Sequence, residues 1–151
     1  MDRPFRVAEL DHVVVRCRDQ ERALDFYGRV LGLVEERRLD ALGLVQLRAG
    51  ASMVDLVPAD PPPTHEGRNV DHFCLGVDAP DMDALVRYLQ AEGVQMLGEP
   101  AERYGARGVG LSLYVLDPDG NVVELKQTPP GGDRRPIRKS ESGRGGARAG
   151  H

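Results

Sequence analysis

The sequence contains no tryptophan and only seven Phe and Tyr residues, too few to build the broad aromatic surface that a groove for flat or cationic ligands needs. Two cysteines, Cys17 and Cys74, do not make a disulfide framework, so both thiols are expected to be free in a reducing cytoplasmic setting. No apolar run approaches the roughly 18 residues of a membrane span. The start, MDRPFRVAELD, lacks an apolar core, so a secretion signal is not expected. Positive charge is scarce in the body of the chain. Residues 1–127 carry 14 Lys and Arg against 22 Asp and Glu, a balance of −8 that disfavours a nucleic-acid face. The remaining segment, 128–151, has six basic and two acidic residues and almost no apolar side chain. It is expected to be a disordered, solubilising extension.

What the sequence does contain is one unit written twice. Leu10-Asp11-His12-Val13-Val14-Val15 returns as Val70-Asp71-His72-Phe73-Cys74-Leu75. An amphipathic helical pattern follows each, running from the N-cap residue Asp19 to about Leu31, and from near Pro80 to Gly93. Each half then closes on a Val-acid-Leu strand, Val54-Asp55-Leu56 and Val123-Glu124-Leu125. With the Gly-containing helix ends, Gly32 before Leu33-Val34 and Gly93 before Val94-Gln95, four matches in the same order predict an α+β chain of tandem βαβββ modules that enclose a cupped, mixed-sheet cleft. The expected bounds are 1–58 and 70–127, joined by the Pro-rich linker 59–69. Strands are predicted at 9–17, 33–38, 42–48 and 51–57, then at 70–77, 95–103, 109–116 and 121–127.

Alternation along these strands sorts the side chains. Val13, Val15 and Cys17 face the helix, which leaves His12 on the opposite face; by the same parity His72, Cys74, Asp55, Glu124, Lys126 and Tyr114 share that opposite face. A Glu amid Val122, Val123 and Leu125 is costly to bury without a cation. A single His in a strand is ordinarily a hydrogen-bonded rim residue. Two at matched positions of a repeat, with acids at another matched pair, point to a divalent-metal site. His12, His72 and Glu124 form a set suited to Fe, Mn, Zn, Ni or Co, with Asp55 as a candidate fourth ligand. His65, in the linker, is expected to be solvent-exposed.

LDHVVVRC with ALDFYGRVLGL, VDHFCLGV, and LYVLDPDGNVVELKQ together resemble the vicinal oxygen chelate superfamily. That superfamily includes glyoxalase I, extradiol dioxygenases, fosfomycin-resistance proteins and bleomycin-binding proteins. The resemblance implies paired βαβββ modules, a homodimer, and one divalent metal per site held by His12, His72 and Glu124. Asp55 falls where glyoxalase I has a Glu that serves as ligand and proton carrier. Leu113-Tyr114, Asp117-Pro118, Gly120 and Glu124 resemble the closing signature of extradiol dioxygenases, whose Tyr contacts the catechol. Positions 105–107 are Gly, Ala and Arg, so the His that signature wants is missing.

The expected activity is a metal-dependent, glyoxalase-like lyase, or a dioxygenase, acting on a small molecule chelated through vicinal oxygens. Asp55 or Glu124 is the candidate base, with Tyr114 assisting proton transfer. Arg48, Arg107 and Lys126 are candidates for holding an anionic substrate. The rivals are a metal-free drug binder of the bleomycin-resistance kind and a fosfomycin-resistance-like thiol transferase. The latter shares the two-His-one-Glu set, but no cluster of Lys, Arg and Tyr for a phosphonate accompanies it here.

Overall fold

The computed structural model describes residues 3–129; the basic segment predicted to be disordered lies almost wholly outside them. Two four-stranded mixed sheets account for the strands. The first is built from β1 (His12–Cys17), β2 (Val34–Leu39), β3 (Leu44–Ala49) and β4 (Ser52–Pro58), in the order β1-β4-β3-β2. The second repeats that order as β5-β8-β7-β6, with β5 (His72–Val77), β6 (Met96–Gly105), β7 (Gly108–Leu116) and β8 (Val122–Gln127). In each module the last three strands run antiparallel, and the first strand lies parallel to the fourth.

The first helix, α1, is capped by Asp19, whose carboxylate accepts from the Glu21 and Arg22 amides. It is α-helical only over Gln20–Leu24 and widens into a π-helical stretch over Asp25–Val30. A regular α-helix to Leu31 is the sequence expectation, and packing explains the departure. The wider turn narrows the angle between successive side chains and brings Phe26, Tyr27 and Val30 together into the core. The second helix, α2 (Met82–Ala91), is capped by Asp81 in the same way. Gly32 and Gly93, at φ +81° and +71°, turn the chain out of the two helical segments through the left-handed region.

One hydrophobic core joins the modules. Val15, Cys17, Leu47, Val54 and Leu56 enter it from the first sheet, and Leu113, Val115, Val123 and Leu125 from the second. The seam is also polar. Tyr27, fully buried, stacks on Phe73 and donates to Asp117 Oδ2 at 2.7 Å; the Tyr88 hydroxyl donates to Val30 O at 2.7 Å. His65 is half-buried rather than exposed, because its ring reaches the Asp119 carbonyl and ties the linker to the β7–β8 turn. With both helix-facing sides in one core, the opposite faces of the two sheets are left for polar side chains. Among the described residues no helix is long and apolar enough to cross a membrane.

Candidate metal centre and substrate pocket

The strand registers place the two modules' polar residues in equivalent positions. Val14 lies beside Asp55 and Asp55 beside Gln46; in the second module Cys74 lies beside Glu124 and Glu124 beside Tyr114. His12 and His72 open the first strand of each module. The repeat therefore builds two half-sites, each with one imidazole and one carboxylate.

In the second half-site the two groups meet. His72 Nε2 is 3.2 Å from Glu124 Oε2, and Glu124 is only 7% exposed. Two ligand atoms about 2.1 Å from one ion, at roughly a right angle, stand about 3 Å apart, so this spacing fits a shared metal. His72 Nδ1 is bonded to the Asp71 carboxylate at 2.7 Å. That contact fixes the ring and leaves Nε2 toward Glu124, the second-layer arrangement of metal-bound imidazoles. The same bond holds the Asp71 carboxyl below its ordinary range.

The first half-site follows the same plan. His12 Nδ1 is 2.6 Å from Asp11 Oδ1. That bond raises the imidazole pKa, with the Asp55 charge adding to it against the opposing effect of burial. Asp55 is 4% exposed; Oδ2 accepts from Gln46 Nε2 at 3.2 Å, and Oδ1 is buried with no hydrogen-bond partner among the described residues. An orphaned, buried carboxylate oxygen is costly, and a cation would satisfy it. The donors present thus suit a divalent ion in both half-sites. Within one chain they do not converge: among the described residues no three His, Cys, Asp or Glu side chains come close enough to share an ion.

Tyr114 presents its ring to His72 edge-on, with centroids 5.1 Å apart. Arg103 stacks over that ring at 4.5 Å from its centroid and donates to Ser112 O and Oγ at 2.9 Å. Arg103 is a cleft cation that the sequence analysis missed. A bulge between Leu97 and Ala101 slides β6 by two residues along β7, and strand spacing gives no sign of it. Of the predicted anion-binding residues, Arg48 is engaged by Glu36 at 2.7 Å. Arg107 and Lys126 line a cavity of about 320 Å³ beside Glu124, together with Cys74, Gly76 and Tyr104. That volume suits a small metabolite.

Cys74 is a wall of this cavity. Although Cys74 is open to solvent on one side, the desolvation of its thiol by the packed groups around it, and then the neighbouring Glu124 carboxylate, push it up to about 11. Since the thiolate is the reactive form, iodoacetamide at pH 8 is expected to alkylate Cys74 about a hundredfold more slowly than an unperturbed thiol. Mass spectrometry checks this, with the fully buried Cys17 as the unreactive control. A rate equal to that of a free cysteine peptide would contradict it.

Comparison with known proteins agrees with this architecture. The profile of the Glyoxalase/Bleomycin resistance protein/Dioxygenase superfamily matches residues 9–125. The glyoxalase domain-containing protein RDO1 of Mycosarcoma maydis is 31% identical over 127 residues, covering 82% of this chain and 70% of that one. Virulence protein STM3117 of Salmonella typhimurium is 29% identical over 126 residues, covering 80% and 85%. The crystal structure of STM3117 superposes with a TM-score of 0.66 over 83% of this chain and all of that one. A lactoylglutathione lyase of Pseudomonas aeruginosa is 28% identical over 155 residues, covering 82% and 84%. With the profile spanning both modules and the paired sheets repeating one strand order, the chain belongs to the glyoxalase/bleomycin resistance protein/dioxygenase superfamily.

Proposed function

We propose that the protein is a divalent-metal-dependent enzyme of the glyoxalase type. Its metal site is completed between two copies of the chain: His12 from one, His72 and Glu124 from the other, with Asp55 of the first copy as the nearby carboxylate. The observation that carries this reading is the pair of matched half-sites, each an imidazole held by the preceding Asp beside a buried carboxylate. One chain keeps the halves on separate sheets. A two-fold dimer supplies each half twice, so pairing unlike halves gives two complete sites per dimer.

A bound Fe, Mn, Zn, Ni or Co ion would act as a Lewis acid on a substrate's vicinal oxygens. The chain's own residues do the rest. Asp11 and Asp71 hold the imidazole rings through Nδ1 and keep Nε2 free for binding. Asp55, with one carboxylate oxygen lacking a donor, is suited to take a proton from the carbon next to the substrate carbonyl. Tyr114, held between Arg103 and His72, sets its ring against the second half-site, where it is suited to assist proton transfer.

Relatives named as lactoylglutathione lyases favour lyase chemistry over ring cleavage. The absence of His at positions 105–107 points the same way. Protein purified without a His-tag is expected to carry about one equivalent of metal per site and to turn over methylglyoxal–thiol adducts in preference to catechols. No metal under any loading condition would favour the drug-binding alternative instead.

A further inference from the structure

We propose that Lys126 and the cavity it lines form a subsite for a substrate carboxylate. The substrate would then be a small organic acid with vicinal oxygens at one end and a second anionic group at the other. This rests on the reading of Glu124 as a metal ligand.

Lys126 is only 8% exposed, yet among the described residues no acidic group lies within salt-bridge distance of it and its ammonium makes no hydrogen bond to the protein. Its stem is buried while its ammonium keeps contact with solvent, a charged end without a protein partner among the described residues. Lys126 faces the cavity shared with Glu124. Its neighbours have been stripped of side chains. A Cβ at Gly105 would stand 3.2 Å from the Lys126 Cδ and Cε atoms, and one at Gly110 would stand 3.2 Å from Nζ and 2.7 Å from Gln127 O. Neither glycine has a positive φ, so what they contribute is room for the lysine and for whatever meets it. Gly76, the neighbour of Lys126 on β5, widens the same space.

Residue type argues in the same direction. The chain has eighteen arginines and two lysines, and one of the two is this buried residue. A compact ammonium fits between glycine walls where a planar guanidinium does not, and it serves as a point charge for an anion. Glu124 and Lys126 are two residues apart on one face of β8 and line the same cavity, and the Lys126 ammonium extends toward Gly110, on the side away from Glu124. A 2-oxo acid with a second carboxylate at its far end is the simplest probe of that arrangement.

The test compares 2-oxoglutarate with 2-oxopentanoate, which shares the chelating end and lacks the distal charge. Metal content is measured first, then the affinity of each probe for the metal-loaded dimer by calorimetry. The wild type is expected to bind 2-oxoglutarate about thirtyfold more tightly. In Lys126→Met that preference should fall to near unity, with metal content and 2-oxopentanoate affinity unchanged. Lys126→Gln serves if the Met variant does not fold. Equal affinities in the loaded wild type, or a preference surviving both substitutions, overturn the subsite and leave the metal reading standing. A wild type that takes up no metal overturns the metal reading. The subsite is then decided by glutarate binding to metal-free protein: dependence on Lys126 supports it, and its absence overturns it.

Discussion

Glu124→Gln is expected to abolish tight metal binding while leaving the fold intact. The substitution keeps size and shape at a site that is 7% exposed and flanked by Val123 and Leu125, both core residues. It removes the charge that makes the oxygen a ligand for a first-row ion, and a neutral amide is a poor substitute. Metal affinity should fall at least about a hundredfold, and turnover of a methylglyoxal–thiol adduct by about a thousandfold. Stability of the metal-free protein should hold or rise, because a buried carboxylate that meets only His72 and the Cys74 thiol among the described residues no longer has to be desolvated. Elemental analysis and urea denaturation of the same preparation check both halves of this expectation. Retention of a full equivalent of metal would remove Glu124 from the ligand set.

Asp117→Ala is expected to have the largest effect on stability. This carboxylate is 5% exposed and accepts four hydrogen bonds. Oδ1 receives the Asp119 and Asn121 amides at 2.9 and 2.8 Å, and Oδ2 receives Asn121 Nδ2 at 2.8 Å and the Tyr27 hydroxyl at 2.7 Å. Three of those bonds shape the β7–β8 turn, and the fourth crosses to the first module. Truncation leaves the buried Tyr27 hydroxyl without an acceptor and opens the three part-buried turn bonds, which together cost about 3–4 kcal/mol in chemical denaturation. Tyr27→Phe, which removes only the fourth bond, should cost about 1 kcal/mol. An Asp117→Ala loss below 1 kcal/mol would mean that the turn holds itself and that the two modules are joined by apolar packing alone.

Much of this organisation was legible in the sequence. The recurring Asp-His dipeptide marked the first strand of each module, and strand alternation put His12, His72, Asp55 and Glu124 on the faces turned from the helices. Strand ends shifted by a few residues, as at β5, which starts at His72 rather than residue 70. Other features depend on contacts that spacing does not encode. Arg103 reaches Tyr114 because of a bulge in β6. Arg48, expected to hold substrate, spends its charge on Glu36 across the β2–β3 pair. The face of Lys126 was readable, but the room for its side chain comes from Gly105 and Gly110 on two neighbouring strands.

The role of the aspartates before each His was also missed, though the repeated dipeptide carried the signal. Asp11 and Asp71 bond Nδ1 of the adjacent ring. A local pattern of two residues is enough for that contact, whereas the meeting of half-sites is a property of assembly. A duplicated sequence specifies two equivalent half-sites and is silent on which copies of them meet.

That meeting is best tested by coexpressing His12→Ala and His72→Ala chains, each with a distinct tag free of histidine. Each variant alone should bind almost no metal. A mixed dimer contains one site with both substitutions and one with neither, so purified mixed dimers should recover about half of the wild-type metal and turnover per chain. If the mixed dimers bind no more metal than either variant alone, the two imidazoles do not serve one ion across the two copies, and the shared centre proposed here is wrong.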